Sequence, residues 1–216
     1  MKYLKMLGLA AVAAAALMAF IGAGTASASV ICEKVSATDV CETPWANGTV
    51  MDFSLVGTAI LETDPIEGDP VILDTCTGGT VKGTLTNGSS TTTANGSVTA
   101  ANLTWSSCTF TTDTLAGGVL EVHNIPGTTN GTVTAKEFRV TINTGIFGTC
   151  VFTAGTGVDL GTLTEGKAGA TANPDATLHV KATVTRESGL CPAKANWTAT
   201  YLLTEPKETT LAVTAS

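Results

Sequence analysis

Along most of this chain apolar and polar residues alternate at every second position. That is the period of a strand with one buried face, and beyond the N-terminus no segment carries a helical apolar stripe for three turns. The alternation is cleanest over Ala176 to Arg186. There Leu178, Val180, Ala182 and Val184 fall on one face and His179, Lys181, Thr183 and Thr185 on the other. It recurs over Asn196 to Leu203 with Trp197, Ala199, Tyr201 and Leu203, over Thr49 to Leu61 with Met51, Phe53 and Leu55, and within Gly131 to Asn143 with Phe138, Val140 and Ile142. Further strands are predicted at Val71 to Thr75, Gly79 to Thr86, Ser97 to Trp105, Cys108 to Thr112, Gly118 to Asn124 and Leu211 to Val213. Asn87-Gly88 and Asn95-Gly96 accept the positive φ of tight hairpin turns. A one-residue slip would turn every apolar side chain outward, so Leu178, Val180, Val184, Trp197 and Tyr201 are expected inside and His179, Lys181 and Thr183 in water. Many short strands punctuated by Gly, Pro and Asn define the fold class as all-β, an antiparallel β-sandwich or a barrel-like form. Residues 29–216 read as one domain, with 29–48 as an N-terminal segment pinned by its own bridge.

The first 28 residues follow a different rule. Lys2 and Lys5 precede a near-continuous apolar run from Leu7 to Gly22, and Ala26-Ser27-Ala28 places small residues where a signal peptidase reads. A cleaved leader, with Ser29 as the new N-terminus, is expected. The run is short for a retained anchor. Ser29, Val30 and Ile31 before Cys32 do not form a lipoprotein signal. The processed chain is therefore expected to be secreted and free of the membrane.

Thr makes up about a fifth of what remains; its β-branched side chain suits a pleated surface and disfavours helix. Losing Lys2 and Lys5 takes the formal charge from −7 to −9. Such a surface offers no footprint for nucleic acid or anionic lipid. The expected partner is an extracellular or cell-wall ligand.

All six cysteines, Cys32, Cys41, Cys76, Cys108, Cys150 and Cys191, lie after the leader. An even number behind a signal sequence reads as three disulfides. Sequence alone does not choose the pairing; neighbours in order (Cys32 with Cys41, Cys76 with Cys108, Cys150 with Cys191) is the preferred one. A Cys/His metal cluster would need a Cys-x-x-Cys or similar spacing, which the chain lacks.

The C-terminal third reads Gly148-Thr149-Cys150-Val151-Phe152, Gly189-Leu190-Cys191-Pro192 and Trp197-Thr198-Ala199-Thr200-Tyr201. It resembles a group of small, exported, Thr- and Gly-rich β-proteins of actinobacteria. In that group a Gly-x-Cys-aromatic segment precedes Leu-Cys-Pro and a Trp-x-x-x-Tyr strand. The resemblance implies a secreted β-protein whose last strands are bridged by cysteines. It implies no activity. Here Val151 intervenes between Cys150 and the aromatic Phe152, which shifts the face the ring uses.

Candidate chemistry is sparse. His179 is expected on a solvent face and His123 at the start of a turn, and no Gly-x-Ser-x-Gly elbow is present, so no catalytic residue is assigned. A glycosidase-type carboxylate pair leaves no local spacing, and an extracellular hydrolase is the alternative to a non-catalytic binding or structural protein. Glu62, Asp64, Glu67 and Asp69, with Asp74 close behind, form an acidic loop punctuated by Pro65, Gly68 and Pro70. Hard oxygen ligands there would suit Ca²⁺, although the spacing matches no known Ca²⁺ loop and a solvated charged loop is the preferred reading. No cofactor motif is read. Trp105 and Trp197 are expected in the core, and Trp45, beside Pro44, is the tryptophan expected to be exposed. The irregular Thr-x-Thr pairs read as a polar sheet face. Asn-x-Ser/Thr occurs at Asn47, Asn87, Asn95, Asn102, Asn130 and Asn196, and the four Asn-Gly cases read as turns.

Overall fold

A computed structural model describes residues 28–34, 41, 43–63, 70–88, 94–99, 102–145, 147–167, 176–207 and 210–215. Sixteen strands carry the fold and no α-helix occurs among these residues. In chain order they are β1 (Ser29–Glu33), β2 (Thr43–Pro44), β3 (Val50–Thr63), β4 (Ile72–Thr86), β5 (Ala94–Val98), β6 (Leu103–Cys108), β7 (Thr111–Ala116) and β8 (Gly118–Asn124). They continue with β9 (Gly131–Lys136), β10 (Phe138–Asn143), β11 (Thr149–Ala154), β12 (Val158–Thr164), β13 (Gly166–Lys167), β14 (Thr177–Ser188), β15 (Lys194–Glu205) and β16 (Thr210–Ala215).

Four strands, β3, β4, β14 and β15, run 12 to 15 residues, about twice the length of most others. Each therefore serves two halves of the molecule. In one half, the order β12-β9-β8-β5-β4-β3-β15-β14 closes on itself because β12 also pairs with β14, giving an eight-stranded antiparallel barrel. This is the barrel-like form of the all-β expectation. In the other half the same four strands continue, and their flanks are taken by β6, paired with β4, and by β11, β10 and β7, which extend from β14. Strand β3 changes halves at a bulge. Ile60 faces Thr198 and Val56 faces Thr200, so Gly57, Thr58 and Ala59 oppose one residue of β15. Gly57, at φ +74°, makes that bend without Cβ strain. Gly161, at φ +141°, is required where the barrel closes, because a Cβ there would overlap the carbonyl oxygen of His179.

A separate sheet, β13-β16-β1-β2, covers one end of the closed barrel. Ile31, Leu211 and Val213 point from it into the main core, and the side-chain amide of Asn124 donates to Val213 O at 2.7 Å. Asn87 ties the sheet down by imitating a peptide group. Its Oδ1 accepts from Ile31 N at 2.7 Å, and its Nδ2 donates to Ile31 O at 2.7 Å and Trp45 O at 3.0 Å. Asn87 is thus more than a turn residue, and its amide nitrogen is fully engaged.

The period-two face assignments hold on β14: Leu178, Val180, Ala182 and Val184 are buried, and His179, Lys181 and Thr183 are exposed. Tyr201 is fully buried. The three disulfides join Cys32–Cys41, Cys76–Cys108 and Cys150–Cys191, the preferred pairing of neighbours. The sequence separations are 32 for Cys76–Cys108 and 41 for Cys150–Cys191. Closing loops of that size removes about 3.5 to 4 kcal/mol of unfolded-chain entropy per bridge, and the nine-residue separation of Cys32–Cys41 about 2.5. Several boundaries differ from the alternation reading: Ser97–Trp105 is divided between β5 and β6, Gly131–Asn143 between β9 and β10, and Asn95-Gly96 lies within β5 rather than in a turn. Val71–Thr75 and Gly79–Thr86 are one strand, β4, running through Gly78-Gly79, because Ser106 and Trp105 of β6 pack directly against those glycines. Cys108–Thr112 is not one strand: Cys108 ends β6, Thr111 and Thr112 begin β7, and Thr109 and Phe110 turn between them.

Candidate functional site

Both halves keep atom-free space that includes some open solvent, about 450 Å³ in the closed barrel around Met51, Phe53, Val81 and Leu178, and a cleft of about 590 Å³ in the second half. All eight strands of this half line it: Ala59 and Leu61 from β3, Asp74 and Cys76 from β4, Leu103 and Trp105 from β6, Thr112 from β7, Val140 from β10, Phe152 from β11, Val184 from β14 and Trp197 from β15, with neighbours. The walls are almost wholly apolar. Trp197 shares its strand face with buried Ala195, Ala199, Tyr201 and Leu203, so it points inward; yet it is only half-buried, as are inward-facing Trp105 and Val140. The two indoles meet edge to face, with centroids 5.5 Å apart and planes at 62°, a favourable aromatic geometry.

Why this half stays open is visible at its seam. Strands β6 and β7 are joined by only Thr109 and Phe110, but no backbone ladder links them. A side-chain relay spans the gap: Trp105 Nε1 donates to Thr114 Oγ1 at 3.1 Å, and Thr114 donates to Leu103 O at 2.8 Å.

Asp74 overturns its place in the acidic loop. It is 3% exposed, in the cleft wall. Its Oδ1 accepts the amides of Thr75 at 2.8 Å and Phe110 at 3.0 Å, and its Oδ2 accepts the hydroxyl of Thr112. The carboxylate therefore holds the β6–β7 corner against β4. Its sequence signal was the period itself: Asp74 and Cys76 stand two apart on one strand face. The Cys76 sulfur lies 3.8 Å from Oδ2, and Asp74, Cys76 and Cys108 cluster within 4.8 Å. Both sulfurs are spent in the disulfide, so the trio offers no thiolate to a metal and no S–H to the carboxylate.

The remaining sequence candidates scatter. Glu62, next to the last residue of β3, is half-buried opposite Ile72 and Asn196, and Asp64, Glu67 and Asp69, the other residues of the expected Ca²⁺ set, lie outside the described residues. Trp45, expected exposed, is buried at 8% because β2 folds it against the core beneath Asn87. Trp105 and Trp197, expected in the core, are the half-buried cleft walls instead. His179 is bonded to the hydroxyls of Thr177 and Thr200 in water, and half-buried His123 approaches Thr134 at 3.4 Å. Among the described residues lining the cleft, Asp74 is the one carboxylate.

Two buried polar atoms on β15 have no hydrogen-bond partner among the described residues: the indole N–H of Trp197 and the hydroxyl of Tyr201. Burial pushes the Tyr201 phenol well above its usual value. At the cap, burial opposes ionisation of Glu165, but the Thr129 hydroxyl and the Lys34 ammonium, 3.1 Å away, outweigh it and hold the carboxyl below its usual value.

Fold and cleft together define the class: a disulfide-bridged antiparallel β-barrel protein with an aromatic-walled interior cleft. Three disulfides suit an oxidising, extracellular environment, and no helix among the described residues is long and apolar enough to cross a membrane. No protein family, curated protein or solved structure matches the chain.

Proposed function

We propose that this is an exported binding protein that takes a small apolar group, a ring or short alkyl chain, in the cleft beside Trp105 and Trp197. The observation that carries the reading is the pair of inward-facing, half-buried tryptophans around an apolar cleft with a single carboxylate. Ligand sites are typically apolar concavities with a few placed polar groups. The leader-like N-terminus and the actinobacterial motif of the C-terminal strands support export from a Gram-positive-type cell. Sequestering or sensing a ligand fits this arrangement better than hydrolysis, which by a carboxylate pair would need a second acid across the cleft.

Titration with the neutral fluorophore N-phenyl-1-naphthylamine tests the reading. One saturable site per chain is expected, with quenching of tryptophan emission. Ala154→Phe, which places a ring in the cleft, should abolish binding while leaving the far-ultraviolet circular dichroism unchanged. Equal binding by both proteins, or no saturable binding by either, refutes it.

A further inference from the structure

The geometry points to the seam between β6 and β7 as the mouth through which the cleft takes its guest, and to Thr114 as the latch that closes it, an inference that rests on the binding reading above. Round this half the strand order is β6-β4-β3-β15-β14-β11-β10-β7, and each neighbouring pair is joined by a backbone ladder. Among the described residues only the return from β7 to β6 has none. Burial of the cleft walls falls off towards the same place. Leu61 on β3, Cys76 on β4 and Val184 on β14 are buried, whereas Trp105 on β6, Thr112 on β7 and Val140 on the adjoining β10 are half-buried. Half-buried Trp197 stands against Trp105, with ring centroids 5.5 Å apart. Solvent therefore reaches the cleft at the seam rather than through the laddered wall.

Two side-chain bonds close that seam. Trp105 Nε1 donates to Thr114 Oγ1 at 3.1 Å, and Thr114 Oγ1 donates to Leu103 O at 2.8 Å. Parting β6 from β7 loses those two bonds, whereas parting any laddered pair strands a row of backbone donors and acceptors. The turn between the two strands is pinned: the Cys76–Cys108 disulfide fixes the end of β6 to β4, and Asp74 accepts the amide of Phe110. Leu103 and Thr114 lie away from that turn, at the start of β6 and towards the end of β7. The seam is thus hinged at its pinned turn and latched at its far end, and a neutral apolar guest enters past Trp105 when Thr114 lets go.

Stopped-flow fluorescence with N-phenyl-1-naphthylamine tests the latch. Thr114→Val keeps the shape of the side chain and removes both bonds. Association and dissociation are each expected to quicken roughly fivefold, with the dissociation constant within about twofold of wild type. Thr114→Ser, which keeps the hydroxyl, should retain the wild-type rates. A side chain that merely supports the wall would instead quicken dissociation alone and weaken binding. Unchanged rates in Thr114→Val, or faster dissociation with unchanged association, would overturn the inference while leaving the binding reading standing. Absence of saturable binding by the wild-type protein would overturn both. A second readout needs no variant at position 114. The chain has 3 tryptophans, so Trp105→Phe identifies the Trp105 indole proton in ¹⁵N-correlated spectra. Bound ligand is expected to slow the exchange of that proton with water, because the guest fills the space behind the mouth. Unchanged exchange at saturation would overturn the inference even if Thr114→Val did not fold.

Discussion

Replacing Asp74 separates a buried structural carboxylate from a solvated loop acid. In Asp74→Ala two backbone amides, of Thr75 and Phe110, and the Thr112 hydroxyl lose their acceptor in a wall that is 3% exposed at this position. Stranding a buried donor costs about 1–3 kcal/mol. The hydroxyl can turn to another acceptor, so the two amides dominate and the total is about 3–5 kcal/mol. Asp74→Asn keeps an oxygen for both amides and presents an NH₂ group to Thr112, whose hydroxyl can accept instead; about 1–2 kcal/mol is expected. A carboxylate in a solvated loop would change stability by no more than about 0.5 kcal/mol in either variant. Urea unfolding followed by circular dichroism measures all three proteins, and amide exchange at Phe110 should accelerate in the alanine variant. An alanine variant within about 0.5 kcal/mol of wild type would refute the reasoning. So would an asparagine variant as unstable as the alanine one, since the geometry of acceptance would then not be what matters.

Tyr3 and Tyr201 are the two tyrosines of the chain, so in a Tyr3→Phe background the ionisation of Tyr201 can be read alone from absorbance. Because burial raises its folded value, its contribution is complete below the ordinary tyrosine range and is lost as pH rises above it. Ionisation should coincide with alkaline unfolding, and Tyr201→Phe, which removes an unpartnered hydroxyl, should be neutral or slightly stabilising; a loss above about 1 kcal/mol would mean the hydroxyl is bonded. Glu165 works in the opposite sense: its lowered value contributes stability above about pH 4.3 that is lost as pH falls through the folded value, so Glu165→Gln should flatten the acid limb of the stability profile. Acrylamide should quench Trp105 and Trp197 but not Trp45, read from single-tryptophan variants; a readily quenched Trp45 would return it to the surface. Gly161→Ala should destabilise the closed barrel by more than about 2 kcal/mol in thermal unfolding, since the added methyl meets the His179 carbonyl.

The strands that were legible in the sequence are those whose two faces differ sharply. On β14 each buried aliphatic alternates with a polar residue, and the structure places every one as the period requires. The order of cysteine pairing was a reasonable preference because neighbouring strands in the chain are often neighbours in space. Barrel closure was not legible, since β12 meets β14 through a pairing set by long-range register and by a glycine that looks like any other. Asp74 was obscured by its company: five acids within thirteen residues resemble one charged loop, and only the shared face with Cys76 separates it. Trp105 and Trp197 are expected in the core from the apolar residues that share their strand faces; that they stay half-buried depends on packing among strands far apart in the chain, which no local pattern encodes.

The central claim is that the half of the molecule built by β6, β7, β10 and β11 on the four long strands encloses an open apolar cleft walled by Trp105 and Trp197. A crystal structure of residues 29–216 under xenon pressure tests it most directly, because xenon occupies apolar space without needing a particular ligand. The account predicts xenon density between Ala59, Trp105 and Trp197, with both indoles still half-exposed. Trp105 and Trp197 both fully buried, with no xenon in this half, would contradict it.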